Sequence, residues 1–301
     1  MTTWNPDCFE LPTVAEAVGP FGTAPFLEAV TEFDSGVPLP AVGEDTFLPL
    51  LRQDQEVVFA GHPDLTDYHT PFGERSDALI AAVAAEVSPA RFRLDSLPQE
   101  AAKPLVAGLE EGGWRVETGV HEVTAVLDLP ESFDTYLADV GKKERHEIRR
   151  KRRRYERAVD PIVHETHAGE GWALEEFFRL HRLSQGEKGR FLTEERRQLF
   201  TRLAGIEGWR LDVLRTEDGG AAAVVFGYSD PTGYYLYNSA YDPSLREGSP
   251  GVVLLGSMIE KAISEDMPRF DFLKGDEAYK FRLGARRRPL MEIVARPGAA
   301  Q

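Results

Sequence analysis

Three segments hold the residues whose types and spacing could do chemistry. In YNSAYDPSLREGSPGVVLLGSMIEKA an extended pattern passes through Ser-Pro-Gly into an apolar helical stripe. Ser249 is expected to cap that helix with its side chain, Pro250 suits the first helical position, and Gly251 lets a ligand approach the backbone. A helix start leaves N–H groups unpaired and carries partial positive charge. Ser249, Pro250, Gly251 and Val252 are therefore a candidate anion site, suited to a pyrophosphate after a strand. An ordinary well-capped helix has the same spacing. Just upstream, Tyr237, Asn238, Ser239 and Tyr241 put hydroxyls and an amide near that point, although strand tyrosines usually serve packing.

The second segment is FDFLKGDEAYKFRLGA. Asp271 alternates with Phe270 and Phe272, and an acid in an apolar strand is costly unless paired, which makes it a candidate base or substrate anchor. Gly275 breaks the strand, and Asp276, Glu277, Tyr279 and Lys280 follow on one turn, where a salt-bridged loop is the plain reading. The third segment, KKERHEIRRKRRRYER, holds ten Lys/Arg and three Glu from Lys142 to Arg157. Helical spacing is expected to put Lys142, Arg145, Arg149, Arg152 and Arg153 on roughly one side, while Ile148 and Tyr155, seven apart, dock the helix. A solvated salt-bridged face, an RNA- or tRNA-binding arm and a phosphate contact for a nucleotide-like donor are all open. Stacking aromatics for single-stranded RNA are missing nearby, which disfavours the arm.

Other chemistry finds little support. Seven histidines occur without HExxH or a paired His/Asp cluster, and His164 and His167 fall on opposite sides of an expected strand, so no metal is expected. GxSxG, P-loop and GxGxxG patterns are absent. Cys8 is the single cysteine, which excludes an internal disulfide, suits a reducing cytosol and makes a poor nucleophile.

The elements that must position these residues are of mixed type. In the first half, FGTAPFLEAVTEF reads as a helix, AVGEDTFLPLLRQDQEVVFAG as two short strands, SDALIAAVAAEV as a helix capped by Ser76 or Asp77, ARFRLDSL as a strand and PQEAAKPLVAGLEEGG as a helix before more extended chain. The second half is expected to begin with one long helix, about 133–157. PIVHETHA is then a strand, and GWALEEFFRLHRLSQGEKG and LTEERRQLFTRLAGIEG are two helices. Three antiparallel strands follow, joined at EDGG and SDPTG. A helix, the buried strand RFDFLKG, a short helix or turn and a last strand RRRPLMEIVAR complete it. The expected class is α/β (α+β), with mixed sheets flanked by helices, and the expected division is 1–130 and 131–301.

The 301 residues include 42% hydrophobic and 28% charged residues, enough for a sizeable core. No apolar run of about 18 residues occurs, and the acidic amino terminus lacks the pattern of a secretory signal, so a cytoplasmic location is expected. Net charge is −15, unevenly spread: six Lys/Arg against 25 Asp/Glu through Val140, then 29 against 25. The acidic half repels nucleic acid, and the second half could hold an anion.

In order, KKERHEIRRKRRRYER, FRLHRLSQGEKGRF, YYLYNSAYDPSLREGSPGVVLLGSMIEKA and FDFLKGDEAYKFRLGA resemble the GNAT-superfamily acyltransferases that sit beside the Fem-type peptidyltransferases, some of them CelD-type cellulose-biosynthesis proteins. The N-terminal half resembles their first domain more loosely, through FGTAPFLEAV, FLPLLR and LTDYHTPFG. The resemblance implies two GNAT-like lobes facing a cleft. It implies acetyl-CoA or another acyl-CoA as donor, its pyrophosphate at Ser249, Pro250, Gly251 and Val252, although the usual loop is richer in Gly and opens with Gln or Arg. It also implies an acceptor side lined by Asp271, Asp276, Tyr279 and Lys280. On this reading an amine or hydroxyl attacks the thioester directly, Asp271 or Asp276 takes its proton, a strand N–H polarises the carbonyl, Tyr241 or Tyr279 protonates the thiolate, and Lys280 holds the acceptor. Asn238, Ser239, Lys142, Arg145 and Arg149 complete the expected donor contacts. The acceptor class spans small amines and cell-envelope or polysaccharide precursors. Two alternatives stay open: a Fem-like tRNA-dependent aminoacyl transferase, and a non-catalytic GNAT-like binding module.

Overall fold

The computed structural model describes residues 4–169, 171–184 and 191–298. The chain divides into two compact units, Met1–Thr124 with Arg287–Gln301, and Ala125–Arg286. The expected division left the terminal strand with the second half, whereas here it joins the first unit. Its alternating apolar residues explain why: Leu290, Ile293 and Ala295 are fully buried where that strand pairs with 91–98.

In the first unit α1 (Ala24–Thr31), β1 (Val37–Val42), β2 (Thr46–Gln53), β3 (Glu56–Phe59), β4 (Phe72–Gly73), α2 (Ser76–Val87), β5 (Arg91–Pro98) and α3 (Gln99–Glu111) precede β6 (Trp114–Asp128), within which the division falls. β12 (Arg286–Pro297) completes a mixed sheet ordered β1-β2-β3-β5-β12, with β4 on β2. β2 and β3 pair antiparallel, and β3 and β5 parallel. The α2 stripe buries Ile80, Val83 and Ala84. Ser76 and Asp77 do not cap α2: the cap position is Arg75, at φ 60°, with no side-chain bond. Cys8 is buried, and burial, with Asp7 beside it, pushes its thiol up and keeps it protonated.

The second unit contains α4 (Phe133–Asp139), α5 (Lys142–Ala158), β7 (His164–Ala168), α6 (Trp172–Leu183), α7 (Glu194–Ala204), β8 (Trp209–Arg215), β9 (Ala221–Asp230), β10 (Gly233–Tyr241), α8 (Pro250–Ser264), β11 (Arg269–Lys274) and α9 (Ala278–Arg282). Its strands run β11-β10-β9-β8-β7, antiparallel except for the parallel pair β10/β11. The expected single helix over 133–157 is two helices, because Gly141 sits at φ 85°, a conformation that ends α4 and redirects the chain. Residues 185–189 of the expected GWALEEFFRLHRLSQGEKG helix lie outside the described residues; α6 ends at Leu183. Leu255, Met258, Ile259 and Ala262 of α8 face the core as their spacing requires, against Leu236, Phe270 and Phe272. Ile148 and Tyr155 dock α5 on the same cluster.

Candidate functional site

α8 starts where the chain leaves β10 through the short 3-10 helix Pro243–Gly248. Ser249 does not cap it with its hydroxyl. The residue lies at φ 56°, ψ 50° and makes no side-chain cap bond; its carbonyl instead accepts the N–H groups of Val252 and Val253, at 3.0 and 3.2 Å. Pro250, buried at the first position, has no N–H. The Gly251 N–H is thus the helix-start amide left without a partner among the described residues. A Cβ on Gly251 would find only Tyr241 Cδ1, at 4.0 Å, so the space beside this amide is open.

Val252 reaches the wall of a cavity of about 730 Å³. α5 supplies Lys142, Lys143, Glu144, His146, Glu147, Ile148 and Lys151 to the cavity, while Tyr279, Arg282 and Leu283 come from α9 and the residue after it. The three segments read as chemistry-bearing in the sequence therefore meet here. Its lining combines Ile148, Val252 and Leu283 with the cations Lys142, Lys143, Lys151 and Arg282 and the acids Glu144 and Glu147. Glu147 is held by Arg150 through two bonds, at 2.8 and 2.7 Å, and that pairing draws its carboxyl below the usual range. Burial lowers the ammonium pKa of Lys151, the nearest acid oxygen, on Glu147, lying 4.0 Å away.

The face of α5 differs in phase from the expected strip. Lys142 alone of that set lines the cavity. Arg145 Nη1 donates to the Leu137 carbonyl at 3.2 Å, Arg152 pairs with Glu260 at 2.7 Å, and Arg149 and Arg153 are exposed. The buried side chains Ile148 and Tyr155 fix the helix rotation, and that rotation turns positions 143, 147 and 151 inward at i, i+4 spacing. Lys143, Lys151 and Arg282 were not singled out from the sequence. The signal that locates the first two is the phase set by Ile148 and Tyr155.

β10 and β11 are in register only at Tyr234–Phe270 and Tyr235–Asp271. Beyond that the two strands part, and β10 bulges between Leu236 and Asn238 against β9. Asn238 and Ser239 lie just past the bulge. The Ser239 N–H is met by Asn238 Oδ1 at 2.7 Å.

The residues of the last segment separate into different surroundings. Asp271 is fully buried and its Oδ1 accepts the N–H of Leu273 at 2.8 Å, bracing a residue at φ 58°. Asp276 is exposed. The Lys280 ammonium turns inward: it donates to the carbonyls of Leu273 at 3.3 Å, Lys274, and Gly275 at 3.4 Å, and pairs with Glu277 at 3.0 Å. Three donors so engaged hold the turn itself, which leaves this lysine no donor for a ligand. Tyr279 lines the cavity, and burial, then Glu277, pushes its phenol well above its ordinary pKa, so it holds its proton at neutral pH. Tyr241 is 41% exposed beside Gly251.

A second charged cluster lies in the same unit. Asp212 on β8, fully buried, accepts from His164 Nε2 at 2.7 Å, Thr166 Oγ1 at 2.8 Å, Tyr234 OH at 3.0 Å and Arg210 Nε at 3.3 Å. Burial alone pushes its carboxyl up; the His164 bond and the Arg210 charge outweigh that and hold it below the usual range. Its sequence signal, an acid inside WRLDVLR, is the same signal that singled out Asp271. Among the described residues no group of three or more metal-ligating side chains occurs, and no helix is long and apolar enough to cross a membrane.

Residues 142–281 match the family described as acetyltransferase (GNAT) domain. No curated protein matches the sequence. Among solved structures, the chain is similar to a conserved protein of unknown function from Bacteroides thetaiotaomicron (TM-score 0.67, 14% identity, 98% of each chain covered). It is similar to FemX (TM-score 0.63, 12% identity, 97% of this chain and 96% of that one). It is also similar to the C-terminal domain of a putative lysylphosphatidylglycerol synthetase from Agrobacterium fabrum (TM-score 0.58, 13% identity, 90% and 91%). At these identities the likeness is one of fold.

Proposed function

We propose, from a chain whose residues 142–281 form a GNAT domain in a Fem-like fold, that the protein transfers an acyl group from an acyl-CoA thioester to an amine or hydroxyl. One observation carries the reading: an open helix-start amide at Gly251 directly precedes Val252, which lines a cavity that also holds Lys142, Lys143, Lys151 and Arg282. An adenosine diphosphate tail needs fixed N–H donors and mobile cations, and Gly251, Lys142, Lys143, Lys151 and Arg282 supply both. The slimmer pantetheine arm suits the stretch past Tyr235, where the pairing of β10 with β11 ends.

In the reaction the acceptor nitrogen or oxygen attacks the thioester carbon and the C–S bond breaks. The acceptor proton passes to a carboxylate, directly or through water. Asp276 is the better placed base, since Asp271 is enclosed and already braces Leu273. The departing thiolate takes the Tyr279 proton. Tyr279 has the advantage over Tyr241 of lying in the cavity. Lys280 supports the turn between Asp276 and Tyr279 instead of binding the acceptor. Calorimetric titration with acetyl-CoA tests the reading: saturable binding in the micromolar range supports it, and no heat at millimolar donor ends it.

A second reading, aminoacyl transfer from tRNA, is favoured by Arg149, Arg153, Arg154 and Arg157, which are exposed on α5 with no acid within 4.0 Å among the described residues. It requires RNA binding that weakens steeply with salt. A gel shift lacking any complex at low salt removes it.

A further inference from the structure

α6 brings a buried imidazole to the parted strands. His181 is 1% exposed and is packed edge-on against Phe177, at 4.6 Å between ring centres. Its Nε2 lies 2.9 Å from Asn238 Oδ1, the same oxygen that accepts the Ser239 N–H at 2.7 Å. Two donors converging on one oxygen settle the amide orientation: oxygen inward, nitrogen outward, with Nε2 of His181 carrying a proton. Among the described residues no acceptor meets Asn238 Nδ2, and the side chain is half-buried, so its two N–H hydrogens face accessible space. Asn238 directly follows the bulge, and the β10/β11 register ends three residues before it, at Tyr235. An ordinary strand asparagine rotates freely; this one is pinned by a buried group from another element.

We propose that Asn238 Nδ2 donates a hydrogen bond to the reacting carbonyl of the acyl donor, and that His181 is the positioning residue that holds it in place. The proposal rests on the acyl-donor reading above. Such a donor is aimed where negative charge develops on the oxygen as the acceptor attacks, and it needs no reorganisation at that moment. Loss of one donor of this kind slows acyl transfer by about 100-fold or more, with less effect on donor affinity.

The probe is acetyl-CoA labelled with 13C at the carbonyl, bound to the full chain and observed by NMR. In the wild type the carbonyl resonance is expected to move downfield on binding, the mark of a polarised C=O. In Asn238→Ala and His181→Leu that displacement should fall by at least half while affinity changes less than about threefold. His181→Gln, which keeps an N–H donor, should restore much of it. Circular dichroism and thermal melts screen the variants for folding, and Asn238→Ser, a smaller perturbation of the strand, replaces any that fail. An undiminished displacement in Asn238→Ala or Asn238→Ser overturns this assignment while leaving the donor reading intact. Wild-type protein that binds no acetyl-CoA overturns both.

Discussion

The second unit contains two concentrations of charge, and they are resolved in opposite ways. Around Asp212 every partner is internal: His164, Thr166, Arg210 and Tyr234 converge on one buried carboxylate. Around the cavity below α5 the charge is left over: Lys142, Lys143 and Arg282 face a space of about 730 Å³, and Lys151 is half-buried with its nearest acid 4.0 Å off. A buried charge must be compensated within the fold or by something that binds. The closed cluster therefore reads as architecture; the open one, where Lys142, Lys143 and Arg282 are exposed and Glu144 and Glu147 share the lining, is the proposed ligand site.

The sharpest way to break that contrast is at Asp212. Asp212→Ala removes the acceptor of His164 and Tyr234 and leaves Arg210 with Glu265, 3.6 Å away, and should cost about 3–5 kcal/mol, measured by urea unfolding. If it costs less than about 1 kcal/mol, the cluster is not architectural. The same group predicts an acid response. Because its folded pKa lies below the unfolded value of about 3.9, its stabilisation is present at and above that pH and disappears as pH falls through the lower folded value. Wild-type stability should therefore drop more steeply than that of Asp212→Asn below about pH 4, and parallel curves there would contradict the assignment.

On the open side, Tyr279→Phe should slow transfer by about 100-fold with little change in stability or donor affinity, as for a lost general acid. A rate within twofold of wild type would transfer that role to another residue. Gly251→Leu, whose Cβ meets only Tyr241 Cδ1 at 4.0 Å, should weaken acetyl-CoA binding about tenfold or more by covering the helix-start amide; unchanged calorimetry would remove this amide from the site. Smallest is Lys151→Met, expected to weaken the donor by a few-fold and to flatten its salt dependence. It should also leave stability equal or slightly raised, since burial already disfavours this ammonium.

Periodic elements were legible because each depends on its own neighbours. The apolar stripe of α8 and the docking pair Ile148 and Tyr155 follow from helical spacing, and they lie buried as that spacing requires. Caps and breaks were less legible. Ser249 lies in a left-handed conformation and Gly141 splits a helix that an uninterrupted pattern made continuous, and both depend on where the chain must go next. The identical signal of an acid in an apolar strand arose at Asp212 and Asp271, and nothing local distinguished an ion-pair hub from a brace for Leu273. A lysine one turn past a strand has the sequence signature of a ligand contact, and only the fold turns the Lys280 ammonium into three carbonyls.

What the amino-acid order determined alone was the mixed α/β class, the segments that carry charge and the helix that follows β10. These depend on hydrophobic periodicity and composition, which are properties of a window of sequence. Which cations of α5 face a cavity, which carboxylate is sealed, and how His181 reaches Asn238 across 57 positions were decided only in the tertiary structure. Helix rotation and side-chain direction are set by packing against residues distant in the chain, and a local pattern has no access to them.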